Sequence, residues 1–281
     1  MPELPEVETI IRNLNTNLCG QKLLSVDFRR TDIIAKKLNP VPAESIVDES
    51  IIKVFRHGKY LLFSFTNNLL MIVHLRMTGK LLYLPLLSQD EKDSYLNHKH
   101  THAIFNFSEG QLLFNDVRRF GKIYFSQIDN SISLEKLLNS GPDALSHKFN
   151  KDYLYKRAQR SPKKAIKTFL LDQKIVAGIG NIYADECLFL ARIKPNRAAA
   201  SLSQEEVSIL HDKIIAVLND SILSGGTTFS DYRTADNHKG NFQNKLFVYG
   251  RSGETCRNCS NNLETIKIAG RTTVYCPVCQ E

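Results

Sequence analysis

Residues 51–84 read IIKVFRHGKYLLFSFTNNLLMIVHLRMTGKLLYL. Three short apolar runs, Ile51–Arg56, Tyr60–Phe65 and Leu69–Leu75, are rich in β-branched and aromatic residues, and Asn67-Asn68 marks a turn between the last two. The pattern continues downstream through Lys80–Leu84, Thr101–Phe107, Gln111–Asn115 and Lys122–Phe125, with Glu109-Gly110 as another turn, and Lys22–Arg30 reads as a strand upstream. Many short strands at this spacing predict a sandwich or barrel. The polar stretch Leu84–Lys99 is predicted to be a loop, and Lys37–Pro42 is a connection marked by proline and asparagine.

At 281 residues and 42% hydrophobic content, the chain is long enough for two domains with their own cores. Its longest apolar runs, such as Leu69–Val73, are too short to span a bilayer, and the N-terminus is acidic where an export signal would be basic and then apolar. A soluble, unexported protein with no membrane partner is expected. The net charge is +8, and residues 151–200 alone hold eleven Lys or Arg against four acids. A solvated helical face is the plain reading, but concentrating nearly the whole excess in one segment points towards a polyanion.

Upstream of the strands, Met1-Pro2-Glu3-Leu4-Pro5-Glu6-Val7-Glu8 crowds two prolines and three carboxylates together. Leu4, Val7, Ile10, Ile11, Leu14 and Leu18 recur at helical spacing, and Pro5 and the carboxylates suit a first helical turn. A helix start is therefore one reading. The other is chemical: with Met1 removed, Pro2 presents a secondary amine beside Glu3. An α-amino group with a pKa near ~8 is about 10% neutral at pH 7, and its attack on a sugar carbon yields an iminium ion that acts as an electron sink. The octet alone leaves both readings open.

Past Ser140-Gly141-Pro142 the β pattern ends, and helices are predicted over Asn150–Gln159, Pro162–Asp172, Asn181–Arg192 and Gln204–Leu223. Pro162 after Ser161 suits a first turn, and Ser203-Gln204-Glu205-Glu206 has the spacing of a capping box. Between the middle two helices, Gly178 and Gly180 precede Asn181 at a helix entry. Such a turn is either plain punctuation or a place where a DNA phosphate meets backbone N–H groups, with Asn181 as a side-chain donor. Gly225–Asn241, which carries Phe229 and Tyr232, reads as a linker or as a loop able to close over a base.

The most specific local signal is Cys256-x2-Cys259, sixteen residues, then Cys276-x2-Cys279. This is the spacing of a tetrahedral four-cysteine zinc site, and four protein ligands close the coordination sphere, so one structural Zn2+ is expected. Alternation of Ile266, Ile268 and Val274 around Ala269-Gly270-Arg271-Thr272 predicts a hairpin from whose turn Arg271 projects, as a solubilising charge or as a fork for phosphate. The remaining cysteines, Cys19 and Cys187, stand in apolar surroundings and are expected to pack in cores.

Taken jointly, Met1–Thr9, His57-Gly-Lys-Tyr60, His74-Leu-Arg-Met-Thr-Gly79, Asp116-Val-Arg-Arg-Phe-Gly121, Ala177-Gly-Ile-Gly-Asn-Ile-Tyr-Ala-Asp-Glu186 and the four-cysteine hairpin give the chain a resemblance to bacterial formamidopyrimidine-DNA glycosylases over essentially its full length. The resemblance implies an α+β, two-domain fold. Its parts would be an N-terminal catalytic helix and β-sandwich (1–133), a helix-two-turn-helix domain (134–225), a lesion-side loop (226–245) and a zinc-finger hairpin (246–281). It implies a base-excision repair enzyme that removes 8-oxoguanine and formamidopyrimidines and then cuts the strand as an AP lyase. The partner would be double-stranded DNA containing an oxidised purine or an abasic site, met in the bacterial cytoplasm at the nucleoid, and a monomer suffices.

By the same resemblance Pro2 is the nucleophile, Glu3 the general acid/base and Glu6 the group that positions them. Lys59, Asn181 and Arg271 grip phosphates around the extruded nucleotide; His74 adds a backbone contact or serves as a buried structural histidine. Met77, Arg118 and Phe120 fill the gap left by a flipped base, unless Met77 and Phe120 belong to the sandwich core. The competing readings are an endonuclease VIII-type glycosylase for oxidised pyrimidines and a non-catalytic zinc-dependent DNA-binding protein.

Overall fold

The computed structural model describes residues 1–36, 39–85, 98–129, 131–227 and 240–281. The predicted loop Leu84–Lys99 and the stretch Gly225–Asn241 fall largely outside these residues, and Phe229 and Tyr232 lie outside them altogether. Two compact units form: Met1–Leu138 with Ser224–Asn241, and Asn139–Leu223 with Phe242–Glu281.

In the first unit, helix α1 (Leu4–Leu18) starts at Glu3, where a reciprocal capping box joins Glu3 and Glu6. Its apolar stripe, Val7, Ile10, Ile11, Leu14 and Leu18, is buried. That stripe shares one core with the inner faces of two antiparallel sheets, as the 3.6- and 2-residue periods require. One sheet has the order β2 (Ile51–His57), β3 (Tyr60–Phe65), β4 (Leu69–His74), β8 (Lys122–Gln127), and the other β1 (Leu23–Phe28), β6 (Thr101–Phe107), β7 (Gly110–Asp116), β5 (Gly79–Pro85). Polar contacts fix the register of helix on sheet: Arg56 Nε meets Glu8 Oε2 at 2.7 Å, and Val54 N donates to Asn15 Oδ1 at 2.9 Å.

Strand β4 is buried at every position because both faces are covered. Met71 and Val73 face the shared core, while Leu70 and Ile72 join Leu62 and Tyr124 in a second cluster closed by a short helix, α2 (Leu134–Leu138). Nothing in the strand pattern predicted α2, since five residues give too little periodicity to read.

The second unit holds α3 (Lys151–Gln159), α4 (Ile166–Leu171), α5 (Asn181–Leu190), α6 (Gln204–Leu223) and the hairpin β9 (Glu264–Ile268) with β10 (Arg271–Tyr275). Helix α6 begins with the predicted capping box, Ser203 N donating to Glu206 Oε2 at 2.8 Å and Glu206 N to Ser203 Oγ at 3.1 Å. Helix α4 corrects an expectation, for it starts at Ile166 and not at Pro162. Residues before it are held extended by an antiparallel bridge between Ala165 and Ala198, with Ala199 N on Lys164 O at 2.9 Å. A backbone donor remote in sequence thus outcompetes the local helix signal. Cys187 is buried as expected, but Cys19 is exposed at the end of α1, its thiol donating to Asn15 Oδ1 at 2.9 Å. Among the described residues no helix is long and apolar enough to cross a membrane.

Candidate active site and nucleic-acid interface

The opening octet starts a helix, as one of its two readings expects, and that start buries its polar groups. Pro2 is buried, and Glu3 and Glu6 are 3% and 2% exposed. Glu6 Oε2 accepts the Glu3 N–H at 2.9 Å, and Oε1 accepts the Thr227 N–H at 2.8 Å. One carboxylate therefore joins the start of α1 to Gly226-Thr227. Gly226 has φ +82°, and a Cβ there would lie 3.0 Å from Glu6 Oε1; a Cβ on Gly240 would meet Gly226 O at 2.2 Å. Only glycine permits this approach. Gly226 and Thr227 carried no recognisable sequence signal beyond a glycine pair in a polar stretch.

Lys59 sits with Gly58 in the two-residue turn between β2 and β3, whose last pair is His57 with Tyr60. Gly58 has φ +58° at the first central position, where a type II′ turn places glycine. Lys59 is 6% exposed, so its stem is packed while the turn fixes its direction. Across the ladder His74 pairs with Tyr60, ring edge to ring face at 4.7 Å, and its Nδ1 accepts the Arg76 N–H at 3.0 Å. A neutral His74 therefore carries its proton on Nε2. It is 7% exposed.

Met77 and Phe120 are 44% and 49% exposed, which removes them from the sandwich core. They occupy two turns that meet where Gly79 pairs with Asp116. Fully buried Asp116 organises both: its Oδ2 accepts Gly121 N at 2.7 Å, its Oδ1 accepts Arg118 N at 3.1 Å and the Thr78 hydroxyl, and Thr78 Oγ1 also accepts Arg118 N at 3.1 Å. The Arg118 guanidinium lies over the Phe120 ring at 4.8 Å. A cleft of about 460 Å³ opens beside these turns, lined by Arg29, Arg30, Lys99, His98, His100 and Arg119. Desolvation, then Lys99 and His98, hold His100 below its usual range. The Asp116 anchor lay within a quoted motif without a role, and the cleft gathers residues too scattered to be seen as a charge run.

In the second unit the Gln173 side chain staples the glycine turn, donating to Leu171 O at 3.0 Å and Ile179 O at 2.8 Å and accepting Gly178 N at 3.0 Å. Gly178, at φ +115°, needs that freedom. Asn181 opens α5, and its Nδ2 donates to Thr272 O at 3.2 Å, leaving the second amide hydrogen for another acceptor. The hairpin tip is Ala269-Gly270, with φ +49° and +74° as a type I′ turn requires, so exposed Arg271 begins the returning strand. Asn181 and Arg271 are thus brought together through Thr272.

Helix α5 also carries two buried carboxylates that sequence reasoning left without roles. Glu186 accepts Phe247, Val248 and Tyr249 N–H groups at 2.8–2.9 Å, yet burial still holds it above the usual carboxylate range. Asp185 meets Lys167 Nζ at 2.6 Å with both side chains fully shielded. Burial, only partly offset by Lys167, pushes Asp185 up to about 7.

The four sulfurs of Cys256, Cys259, Cys276 and Cys279 lie within 4.8 Å of one another, with Cys259 to Cys276 at 3.4 Å and Cys256 to Cys279 at 4.0 Å. Zn–S bonds near ~2.3 Å in a tetrahedron place sulfurs about 3.8 Å apart, so the donor set fits. Asn258 and Asn261 amides donate to Cys279 and Cys259 sulfurs at 3.3 and 3.5 Å. Asn261 holds the Cys259 thiol down at about 6, while burial pushes Cys276 up to about 12.

With this geometry in place, comparison with known proteins is decisive. Residues 1–123 match the Formamidopyrimidine-DNA glycosylase N-terminal domain, 140–233 the Formamidopyrimidine-DNA glycosylase H2TH domain, and 253–281 the zinc finger found in FPG and IleRS. The Formamidopyrimidine-DNA glycosylase of Desulfitobacterium hafniense is 40% identical over 281 residues, all of both chains. The chain belongs to the formamidopyrimidine-DNA glycosylase family. Two solved structures of the Lactococcus lactis family member superpose with a TM-score of 0.86. One is bound to DNA containing N7-benzyl-Fapy-dG, at 36% identity and full coverage of both chains; the other is bound to DNA with an abasic site, at 35% identity and 99% coverage of each. As in the family's finger, the four cysteines bind one zinc, which is structural because no coordination position is left open.

Proposed function

We infer that this chain is a base-excision DNA glycosylase and AP lyase that removes oxidised purines, 8-oxoguanine and formamidopyrimidines among them, from duplex DNA. The full-length family match supports the activity, and the buried Pro2, Glu3 and Glu6 at the start of α1 carry the mechanism. It acts in the bacterial cytoplasm on nucleoid DNA.

With Met1 removed, the Pro2 nitrogen attacks C1′ of the extruded nucleotide. The C–N bond forms as the glycosidic bond breaks, and the base departs with the bonding pair and takes up a proton. The amine loses its own proton, and protonation of the ring oxygen opens the sugar to an iminium ion. That ion accepts electrons when a 2′ proton is removed, expelling the 3′ phosphate; a second elimination expels the 5′ phosphate. Glu3 moves these protons, and its burial favours acid/base exchange with substrate over exchange with bulk solvent. Glu6, fixed by two backbone N–H groups, holds Pro2-Glu3 in place.

Lys59, His74, Asn181 and Arg271 bind phosphates of the lesion strand. The His74 Nδ1 accepts the Arg76 N–H, so a neutral ring carries its proton on Nε2. Met77, Phe120 and Arg118 enter the gap left by the flipped nucleotide, which costs roughly a few kcal/mol to open. The guanidinium already stacked on Phe120 arrives as a planar unit.

Borohydride trapping on an 8-oxoguanine duplex tests the reading. Wild-type protein with Met1 removed gives a covalent complex, whereas Pro2→Gly and Glu3→Gln lose turnover by far more than they lose binding. Absence of any trapped complex defeats the amine mechanism and leaves a non-catalytic DNA-binding protein. Preferential excision of thymine glycol moves the substrate to oxidised pyrimidines.

A further inference from the structure

The Lys167–Asp185 pair has no part in the chemistry, yet its full burial is costly. Removing two charges from water carries a desolvation penalty, and an apolar pair would fill the same space without it. What the ammonium does that an apolar group cannot is donate in three directions. Besides Asp185 it reaches Thr273 Oγ1 at 2.8 Å and Thr272 O at 3.2 Å. Asp185 Oδ2 accepts the Val274 N–H at 3.3 Å. The pair thus holds three consecutive residues of β10, beginning directly after Arg271.

Thr272 O is also the acceptor for Asn181 Nδ2. The residues assigned above to two phosphates are therefore linked through a single carbonyl, and Lys167 fixes that carbonyl from the interior. An arginine directly after a hairpin tip would otherwise lose backbone freedom when it met DNA, and that loss subtracts from affinity.

We propose that Lys167 and Asp185 are positioning residues that set Arg271 relative to Asn181, so that the two donors meet neighbouring phosphates as one preformed clamp. The proposal rests on the phosphate-binding reading of Asn181 and Arg271. A pair that merely stabilises the fold would leave the contribution of Arg271 to DNA binding unchanged once the protein is folded.

A double-mutant cycle on the zinc-loaded protein separates these cases, with affinity measured for a duplex carrying a tetrahydrofuran abasic analogue. Lys167→Met with Asp185→Asn removes the ammonium without stranding a carboxylate and keeps an acceptor for Val274. Arg271→Ala is expected to weaken wild-type binding roughly tenfold or more, as loss of a charge-assisted hydrogen bond does. In the K167M/D185N background the same change is expected to cost only about two- to threefold, because an unpositioned arginine has little left to lose. An equal cost in both backgrounds overturns the proposal. No effect of Arg271→Ala in the wild type overturns the phosphate role of Arg271 itself, and the proposal with it. Thr273→Val, which keeps the ion pair but removes one acceptor of the ammonium and the hydroxyl's own donation to Arg271 O at 3.3 Å, provides the same comparison should the double variant not fold; here too an unchanged Arg271→Ala cost counts against positioning.

Discussion

At the scale of single residues, Glu6 concentrates the most consequence in the fewest atoms. Its two carboxylate oxygens each accept one backbone N–H, from Glu3 and from Thr227. Glutamine has the same shape but only one acceptor oxygen, so Glu6→Gln must turn an amide N–H₂ towards one of those donors. Leaving a buried N–H unpaired costs about 1–3 kcal/mol, and the loss falls on Pro2-Glu3 or on Gly226-Thr227. Glu6→Gln is therefore expected to lower unfolding free energy by about that amount and to reduce glycosylase turnover more than duplex affinity. Denaturant unfolding and single-turnover kinetics check both parts, and unchanged turnover would remove Glu6 from the positioning role. Gly226→Ala probes the same contact from the other side, since the added Cβ meets Glu6 and the positive φ is strained for alanine.

Among elements, α5 is notable for two adjacent buried carboxylates that face different segments. Lys167→Met or Asp185→Asn alone leaves one buried charge without its mate, which costs about 3–5 kcal/mol; the double variant is expected to recover most of that loss. Two single variants and a double of equal stability would contradict the assignment of a coupled pair. The pair also sets a pH dependence. With Asp185 pushed up to about 7, the folded protein keeps a proton that the unfolded chain releases near pH 4. The folded state binds more protons across that interval, so this contribution to stability is full below about pH 4, falls as pH rises and is lost above about pH 7. K167M/D185N should lack that slope. None of this was legible in the sequence, where Asp185 and Lys167 were two charges in a basic segment. Periodicity reports which face of an element is apolar, whereas a buried charge becomes visible only when its partner, eighteen positions away, is folded against it. The strands, the capping box at Ser203 and the zinc ligands were legible because each is specified by neighbours in sequence. Helix α4 began late because its competitor, Ala198, is remote.

At the scale of the whole molecule, opposite ends of the chain were recognisable for different reasons: a four-cysteine spacing at one end, an unusual amine beside carboxylates at the other. What the motifs could not supply was the set of groups holding them, such as Asp116, Gln173, Glu186 and Thr227. Zinc is the one such support that can be withdrawn without mutation. The small cluster around it, Val248, Leu263 and Val274 with Phe189, is too slight to order residues 253–281 alone, and metal binding supplies the missing free energy of folding. Because Lys167 and Asn181 grip β10 and not the cysteines, chelation should loosen the cysteine knuckles more than the strand bearing Arg271. Amide hydrogen exchange should therefore rise first at residues 256–261 and 276–279, with β10 protected longer; once β10 loosens as well, duplex affinity should fall with a smaller salt slope, by roughly 0.9 for the phosphate proposed for Arg271. Acid should mimic chelation, since protons compete with zinc for the thiolates. Exchange protection and salt slope both unchanged after verified zinc removal would mean that the hairpin stands without its metal, and that the grip of α5 on β10 suffices to present Arg271.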